Sequence, residues 1–331
     1  MFKRPLLLIG LAAVPALFAG AASAQDLTIY SGRGESFVAP VIEMFEKESG
    51  KDVEVRYGGT AELATLLKEE GANTPADLFW AQDGGALGAT ADLFEALPAE
   101  LSAGENPQFK NADNKWVGTS ARARVLVYST ERAPKDQLPD SVLKLTEPAW
   151  KGKVGWAPAN GSFQAFVTAL RVKEGEEAAK AWVDGMVANG AKTYPNNVAL
   201  VQAIADGEID VALVNNYYLN RFLQRDSKFP VAMTFFKNGD IGNLLNVAGV
   251  GVLKTSDAKE TAQDFAEFLL TPAVQQYFTS AGNEYPVIEG VIPNPSLASV
   301  ADIKAAAPEV PLDQLSDLEG TLNLLRSANL L

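Results

Sequence analysis

The chain predicts an α/β fold of two lobes sharing crossover strands, and three observations predict it. Short apolar strands alternate with helices whose apolar residues recur at helical spacing, the pattern of parallel sheets covered by helices. With 47% hydrophobic residues, the roughly 300 residues left after a leader segment exceed what a single core normally absorbs. Polar clusters recur directly after the strands, where open α/β sheets bind ligands.

The elements follow in order. Leu27–Tyr30 reads as a buried strand, and Phe37–Glu48 as a helix with Phe37, Val41, Ile42 and Phe45 on one face, closed by Gly50. Asp52–Tyr57 returns as a strand, which completes a strand-helix-strand unit with a right-handed crossover. Thr60 caps a helix over Ala61–Glu70, stopped by Gly71, and Asp77–Ala81 is a short apolar strand. Arg122–Ser129 and Val154–Ala157 are strands, and Phe163–Lys173 is a helix. A helix over Val198–Ala205, a strand over Ile209–Val214 and a strand over Val247–Leu253 complete the pattern. No low-complexity linker and no fixed-period repeat interrupts it.

The first residues predict export. Lys3 and Arg4 precede an uncharged apolar run over 5–18, and Ala22-Ser23-Ala24 sets a cleavage between Ala24 and Gln25. With no cysteine there is neither a lipid-anchoring thiol nor a disulfide framework, which places an unanchored protein in a periplasm. The chain carries 28 Lys and Arg against 41 Asp and Glu, a net −13 that becomes −15 (26 against 41) once Lys3 and Arg4 are removed. Such acidity disfavours nucleic acid and anionic membranes as partners. There is no histidine. A Ser-His-Asp triad, a thiol nucleophile and a structural zinc site are therefore excluded, and any metal must be held by oxygen donors suited to a hard cation.

Three constellations carry chemistry. Asn215-Asn216-Tyr217-Tyr218 follows a strand; the paired phenols either pack at the strand end or bind a strong Lewis acid such as Fe(III) as phenolates. Asn160-Gly161-Ser162 before one helix, and Asn196-Asn197 before another, serve either as ordinary caps or as a shared anion pocket of free backbone N–H groups. Gly32-Arg33-Gly34-Glu35-Ser36 lacks the last glycine of a dinucleotide loop, having Phe37 there. It offers instead a carboxylate for a cation, Glu35, and a guanidinium for an anion, Arg33, at one cleft edge. Trp80 and Trp156, near strand ends, are candidate stacking walls for an organic ligand but suit core packing better.

Taken together, these stretches resemble the periplasmic ferric-iron-binding proteins of ABC importers. The likeness runs over nearly all of the mature chain and includes Leu27–Ser31, Pro75-Ala76-Asp77-Leu78-Phe79 and Ala121-Arg122-Ala123-Arg124-Val125. It continues through residues 155–163, Asn197, Gly207-Glu208-Ile209-Asp210, Asn215-Asn216-Tyr217-Tyr218 and Glu284-Tyr285-Pro286. The resemblance implies a Venus-flytrap of two α/β lobes joined by hinge strands, here 25–122 plus 247–290 and 123–246 plus 291–331, after a signal peptide at 1–24. It implies Fe(III) on Tyr217 and Tyr218 with a synergistic anion, carbonate or phosphate, at Asn160, Gly161, Ser162, Asn197 and Asn215, with Arg122 beside them. It also implies delivery to an inner-membrane ABC permease by a monomer, without catalysis. The chain departs from the pattern in the first lobe. Gly34 stands where many members have histidine, Glu35 where another branch has tyrosine, and Gln82 where some have a carboxylate. Glu35 is the preferred first-lobe metal ligand and Asp83 the second choice. The alternative reading keeps the fold and exchanges the cargo for phosphonate or sulfate, a polyamine or thiamine.

Overall fold

The structure is a computed structural model that describes residues 26–102, 109 and 111–331. The expected signal peptide lies outside the described residues. In chain order the elements are β1 (Leu27–Ser31), α1 (Glu35–Ser49), β2 (Val53–Tyr57), α2 (Thr60–Glu70), β3 (Leu78–Ala81), α3 (Gly84–Thr90), β4 (Val117–Ser129), β5 (Val154–Trp156), α4 (Gly161–Glu174) and α5 (Glu176–Ala188). They continue with β6 (Lys192–Thr193), α6 (Asn197–Ala205), β7 (Val211–Asn215), α7 (Asn216–Leu223), β8 (Val231–Thr234), β9 (Leu245–Val252), α8 (Lys259–Leu269), α9 (Pro272–Gly282), α10 (Val300–Ala306) and α11 (Leu318–Ser327).

The sequence accounts for how these elements start and stop. In α1 the residues Val38, Val41, Ile42 and Phe45 fall on one stripe and are buried. Gly50 ends it at φ 71°, donating its N–H to the Glu46 carbonyl at 2.8 Å, a left-handed cap in which a side chain is costly. Asp83, Asn160 and Asn196 cap α3, α4 and α6 with their side-chain oxygens.

The strands run in the order β2-β1-β3-β9-β4-β7-β5-β6, with β8 also paired to β4. β1 is parallel to β2 and β3, and β5 is parallel to β6 and β7. The two halves meet on β4 and β9. Residues 117–123 of β4 pair antiparallel with β9, and 124–128 pair antiparallel with β7, so β4 changes partner between Ala123 and Arg124. One sheet end therefore carries β1–β3 and the other β5–β8, giving two lobes crossed by two long strands. All 13 residues of β4 are buried, which fits a strand covered along its whole length. It begins at Val117, five residues before the polar Arg122 where the sequence pattern starts it.

Each lobe has a core cluster of its own beside a larger one that runs through both. Val38, Val41 and Phe45 meet Trp80, Phe265 and Phe278 in the first, and Val125, Leu200, Ile204 and Val214 meet in the second. A fully buried side chain of this size contributes about 1.5–3 kcal/mol. Trp80 and Trp156 are both fully buried and donate their indole N–H groups to Thr119 and Thr193, so neither serves as a wall for an organic ligand. The C-terminal tail, expected to lie with the second lobe, touches both. Arg171 of α4 binds Asp317 and Thr321 in the tail. On the other side, Leu315 passes so close to α3 that a β-carbon on Gly85 would lie 2.6 Å from its carbonyl oxygen.

Candidate functional site

The parallel strands of both lobes end on one seam, and the site gathers around it. β7 ends at Asn215 and the chain turns directly into α7, so Tyr217 and Tyr218 occupy the first turn of a helix and do not extend the strand. The positive end of a helix favours a negative charge on those phenols. Their ring centroids lie 4.4 Å apart at 36°, and the guanidinium of Arg221, one turn further along, sits 5.4 and 5.2 Å from the two ring centres. Asn215 donates its Nδ2 to the Tyr217 hydroxyl at 3.4 Å. Asn216 is fully buried; its Oδ1 accepts from the Ala123 N–H at 3.0 Å and its Nδ2 donates to the Asn283 carbonyl at 3.1 Å. The start of α7 is thereby fastened to the crossover strand.

Burial raises the Tyr217 phenol above its usual range, and Tyr218 beside it adds to the rise, while Arg122 and the Asn215 hydrogen bond pull the other way. The hydroxyl is neutral at pH 7 and gives up its proton only to a strong Lewis acid.

Three of the expected anion-binding residues come together on the second lobe. Ser162 donates its Oγ to Asn160 Oδ1 at 2.6 Å, and Asn197 Nδ2 donates to Asn160 Oδ1 at 3.2 Å and to Ser162 Oγ at 3.3 Å. The N-termini of α4 and α6 thus meet in one pocket. Asn197 is fully buried, and its Oδ1 has no hydrogen-bond partner. Gly161 is exposed at the first position of α4, with open space where a β-carbon would stand.

The arginine of this pocket is Arg124, which the sequence reasoning passed over. Its Nη1 donates to Ser162 Oγ at 3.1 Å and its Nη2 to the Leu213 carbonyl at 3.0 Å, while its Nε is buried without a partner. Burial lowers it to about 10, the tyrosine pair acting in the opposite direction. Arg122, two residues earlier, donates its Nη2 to the Gln82 carbonyl on the first lobe and acts electrostatically on Tyr217.

Glu35 stands exposed at the start of α1; its charge is felt by Tyr57 at the end of β2, and no hydrogen bond joins it to the tyrosine pair. Asp83 is half-buried and caps α3, accepting from the Ala86 N–H at 2.8 Å; burial raises its carboxyl, Ala86 and Arg122 opposing. Arg33 turns inward and donates its Nη2 to Glu284 at 2.9 Å, stacking near Phe37 with its guanidinium 4.9 Å from the ring centre. Glu284 also accepts from Ser120 and lies 3.9 Å from Arg122 Nη1. Among the described residues, no group of three acidic side chains is placed to hold a metal ion.

The chain and its fold have counterparts in known proteins. The model of the bacterial extracellular solute-binding protein family matches residues 41–307. The major ferric iron-binding protein of Neisseria meningitidis is 34% identical, over 95% of this chain and 96% of that one. The Fe(3+)-binding periplasmic protein of Serratia marcescens is 32% identical, over 99% and 97%. Iron-bound HitA from Pseudomonas aeruginosa superposes with a TM-score of 0.83 at 32% identity, covering 91% of this chain and 98% of that one. A Trichodesmium protein in complex with iron and citrate gives 0.81 at 27% identity, covering 92% and 99%. The chain belongs to the bacterial extracellular solute-binding protein family, and its similarity lies with the ferric-iron-binding members.

Proposed function

We propose that the protein captures Fe(III) between its lobes through the phenolates of Tyr217 and Tyr218, together with a synergistic anion, and delivers it to an ABC permease. The observation that carries this reading is the tyrosine pair itself, its rings side by side at the positive end of α7 with buried Arg122 and Arg124 acting on it. Phenolate oxygens are hard donors that suit Fe(III), and the chain has no imidazole or thiolate to favour a softer metal. The anion sits where α4 and α6 begin, on Asn160, Ser162, Asn197 and Arg124, with Asn215 beside Tyr217. The protein works as a receptor without catalysis, exported by its leader to a periplasm, where an unanchored monomer meets its permease.

Closure of the two lobes on the cargo then presents a surface that the open form lacks, a shift set by the difference in contacts between the two states. A visible absorption spectrum tests the assignment. Adding a ferric salt to the iron-free protein produces a broad phenolate-to-iron charge-transfer band, and the double variant Tyr217→Phe, Tyr218→Phe abolishes it. A band of unchanged intensity in that variant overturns the assignment.

A further inference from the structure

One guanidinium beside the tyrosine pair has no other occupation. Arg221 follows Tyr217 by four residues and Tyr218 by three, the two spacings that bring side chains together on one helix face, and helical side chains lean back toward the N-terminus. Its guanidinium lies over both rings, 5.4 Å from the centre of Tyr217 and 5.2 Å from that of Tyr218. Among the described residues four arginines lie over aromatic rings: Arg33, Arg56, Arg124 and Arg221. Arg33 and Arg56 also pair with Glu284 and Glu70, and Arg124 donates to Ser162 and to the Leu213 carbonyl. The Arg221 guanidinium makes neither an ion pair nor a hydrogen bond within the described residues, and the residue is exposed. Holding a long exposed side chain in one place costs rotamer freedom, and here only the two rings hold it. A cation in the last turn of a helix complements the dipole wherever its guanidinium points, so lying back over the first turn is a separate feature.

We propose that Arg221 tempers the donor strength of the Tyr217 and Tyr218 phenolates toward Fe(III), one charge acting on both rings at once. The proposal rests on the tyrosinate reading above and adds to it a residue that acts through the ligands. A coordinated phenolate spreads its negative charge into the ring, and a cation facing that ring attracts it more strongly than it attracts a neutral phenol. The oxygen then gives less to iron. Two consequences have fixed signs. Moving an electron from ring to metal, the event behind the visible band, takes it away from the guanidinium and so requires more energy. Weaker donors and a nearby positive charge also favour Fe(II) over Fe(III), which raises the reduction potential of the bound ion. Arg122 and Arg124 act on the pair as well, from β4, but each is tied into the buried interior by hydrogen bonds of its own. Arg221 is the charge that can be removed without breaking one.

The test compares the ferric-loaded parent with Arg221→Met, which keeps an apolar cover on the rings, and with Arg221→Lys, which keeps the charge. Visible spectroscopy reads the charge-transfer maximum, and a spectroelectrochemical titration reads the potential of the bound iron. Arg221→Met moves the band to longer wavelength and lowers the potential by about 30–60 mV. That shift corresponds to about a threefold to tenfold change in the preference for Fe(III) over Fe(II), at about 59 mV per tenfold for one electron. Arg221→Lys stays closer to the parent in both readings. A band and a potential unchanged in Arg221→Met overturn the inference and leave the tyrosinate site standing. Shifts as large in Arg221→Lys as in Arg221→Met overturn it too, since the charge is then not the cause. No band in the parent overturns the tyrosinate reading, and the inference with it.

Discussion

Replacing Glu284 with Gln removes one negative charge from a buried cluster at almost constant volume. The carboxylate is 7% exposed, accepts from Arg33 Nη2 at 2.9 Å and from Ser120, and lies 3.9 Å from Arg122 Nη1. After the substitution two guanidiniums remain in the interior without their shared counter-ion, and one of them faces the new amide. Deleting one partner of a buried ion pair costs about 3–5 kcal/mol, mostly through the charge left behind. Arg122 retains the Gln82 carbonyl, which places the expectation near the lower end, about 3 kcal/mol. Urea unfolding of the iron-free protein measures it as a drop in midpoint at constant slope. The pH dependence supplies a second readout. Burial alone raises the Glu284 carboxyl, but Arg33, Arg122 and Ser120 outweigh it and hold it below the usual value. A depressed folded value means that the stabilisation is complete above the unfolded pKa, about 4.3, and is lost as pH falls through the folded one. The Gln variant therefore has a flatter acid limb than the parent. A loss below about 1 kcal/mol together with an unchanged acid limb refutes the argument that this carboxylate neutralises the cluster.

Arg124→Met keeps the apolar stem against Phe163 and Phe166 but removes the donor to Ser162; ferric binding measured by competition with a chelator weakens about 10- to 100-fold, the range of one charged hydrogen bond. Asn160→Ala removes both the cap of α4 and the acceptor shared by Ser162 and Asn197, lowering stability by about 1 kcal/mol in urea unfolding and weakening anion-dependent iron retention. Gly249→Ala places a β-carbon 2.6 Å from the Val117 carbonyl oxygen, where backbone must move. It costs about 1–3 kcal/mol and lowers the thermal midpoint by several degrees.

The parts of the fold legible in the sequence are those governed by local rules. The α1 stripe, the Gly50 stop and the asparagine caps each follow from a residue's own backbone preference and a single period, and the structure has them where the pattern puts them. The tyrosine pair was legible for the same reason, as a polar cluster directly after a strand. Its helical setting was not, because Asn216-Tyr217-Tyr218 has no strong helix former and α7 is held by Asn216 bonding across to Ala123 and Asn283. Arg124 carried a readable signal. In a strand, residues two apart share a face, so Arg122 and Arg124 on β4 point the same way. What sequence cannot tell is that β4 changes partner between Ala123 and Arg124, sending one guanidinium to the first lobe and the other to Ser162. The positions of Arg33 and Glu35 were illegible for a related reason. Their loop reads as a solvated edge until Glu284, 251 residues away, draws Arg33 inward and leaves Glu35 at the surface.

These long-range bonds also tie the tyrosine pair, which sits on one lobe, to the segment that fixes Arg33 on the other. Asn216 precedes Tyr217 and bonds to Asn283, and Asn283 precedes Glu284, which holds Arg33, Ser120 and the neighbourhood of Arg122. Asn283 has φ 53°, a left-handed conformation that asparagine tolerates better than most side chains, so the short segment through Tyr285 is fixed in shape. Tyr285 in turn exchanges backbone hydrogen bonds with Ala121 of β4 at 2.7 and 2.9 Å. A rotation about β4 near Ala123 would move the Arg33–Glu284–Arg122 cluster relative to Arg124, because the cluster is anchored before the change of partner and Arg124 after it. A ligand that contacts groups on both sides of that change of partner stabilises one setting of the rotation. A ligand held on one side alone has no such leverage, since it shifts a conformational equilibrium only by its differential contacts with the two states.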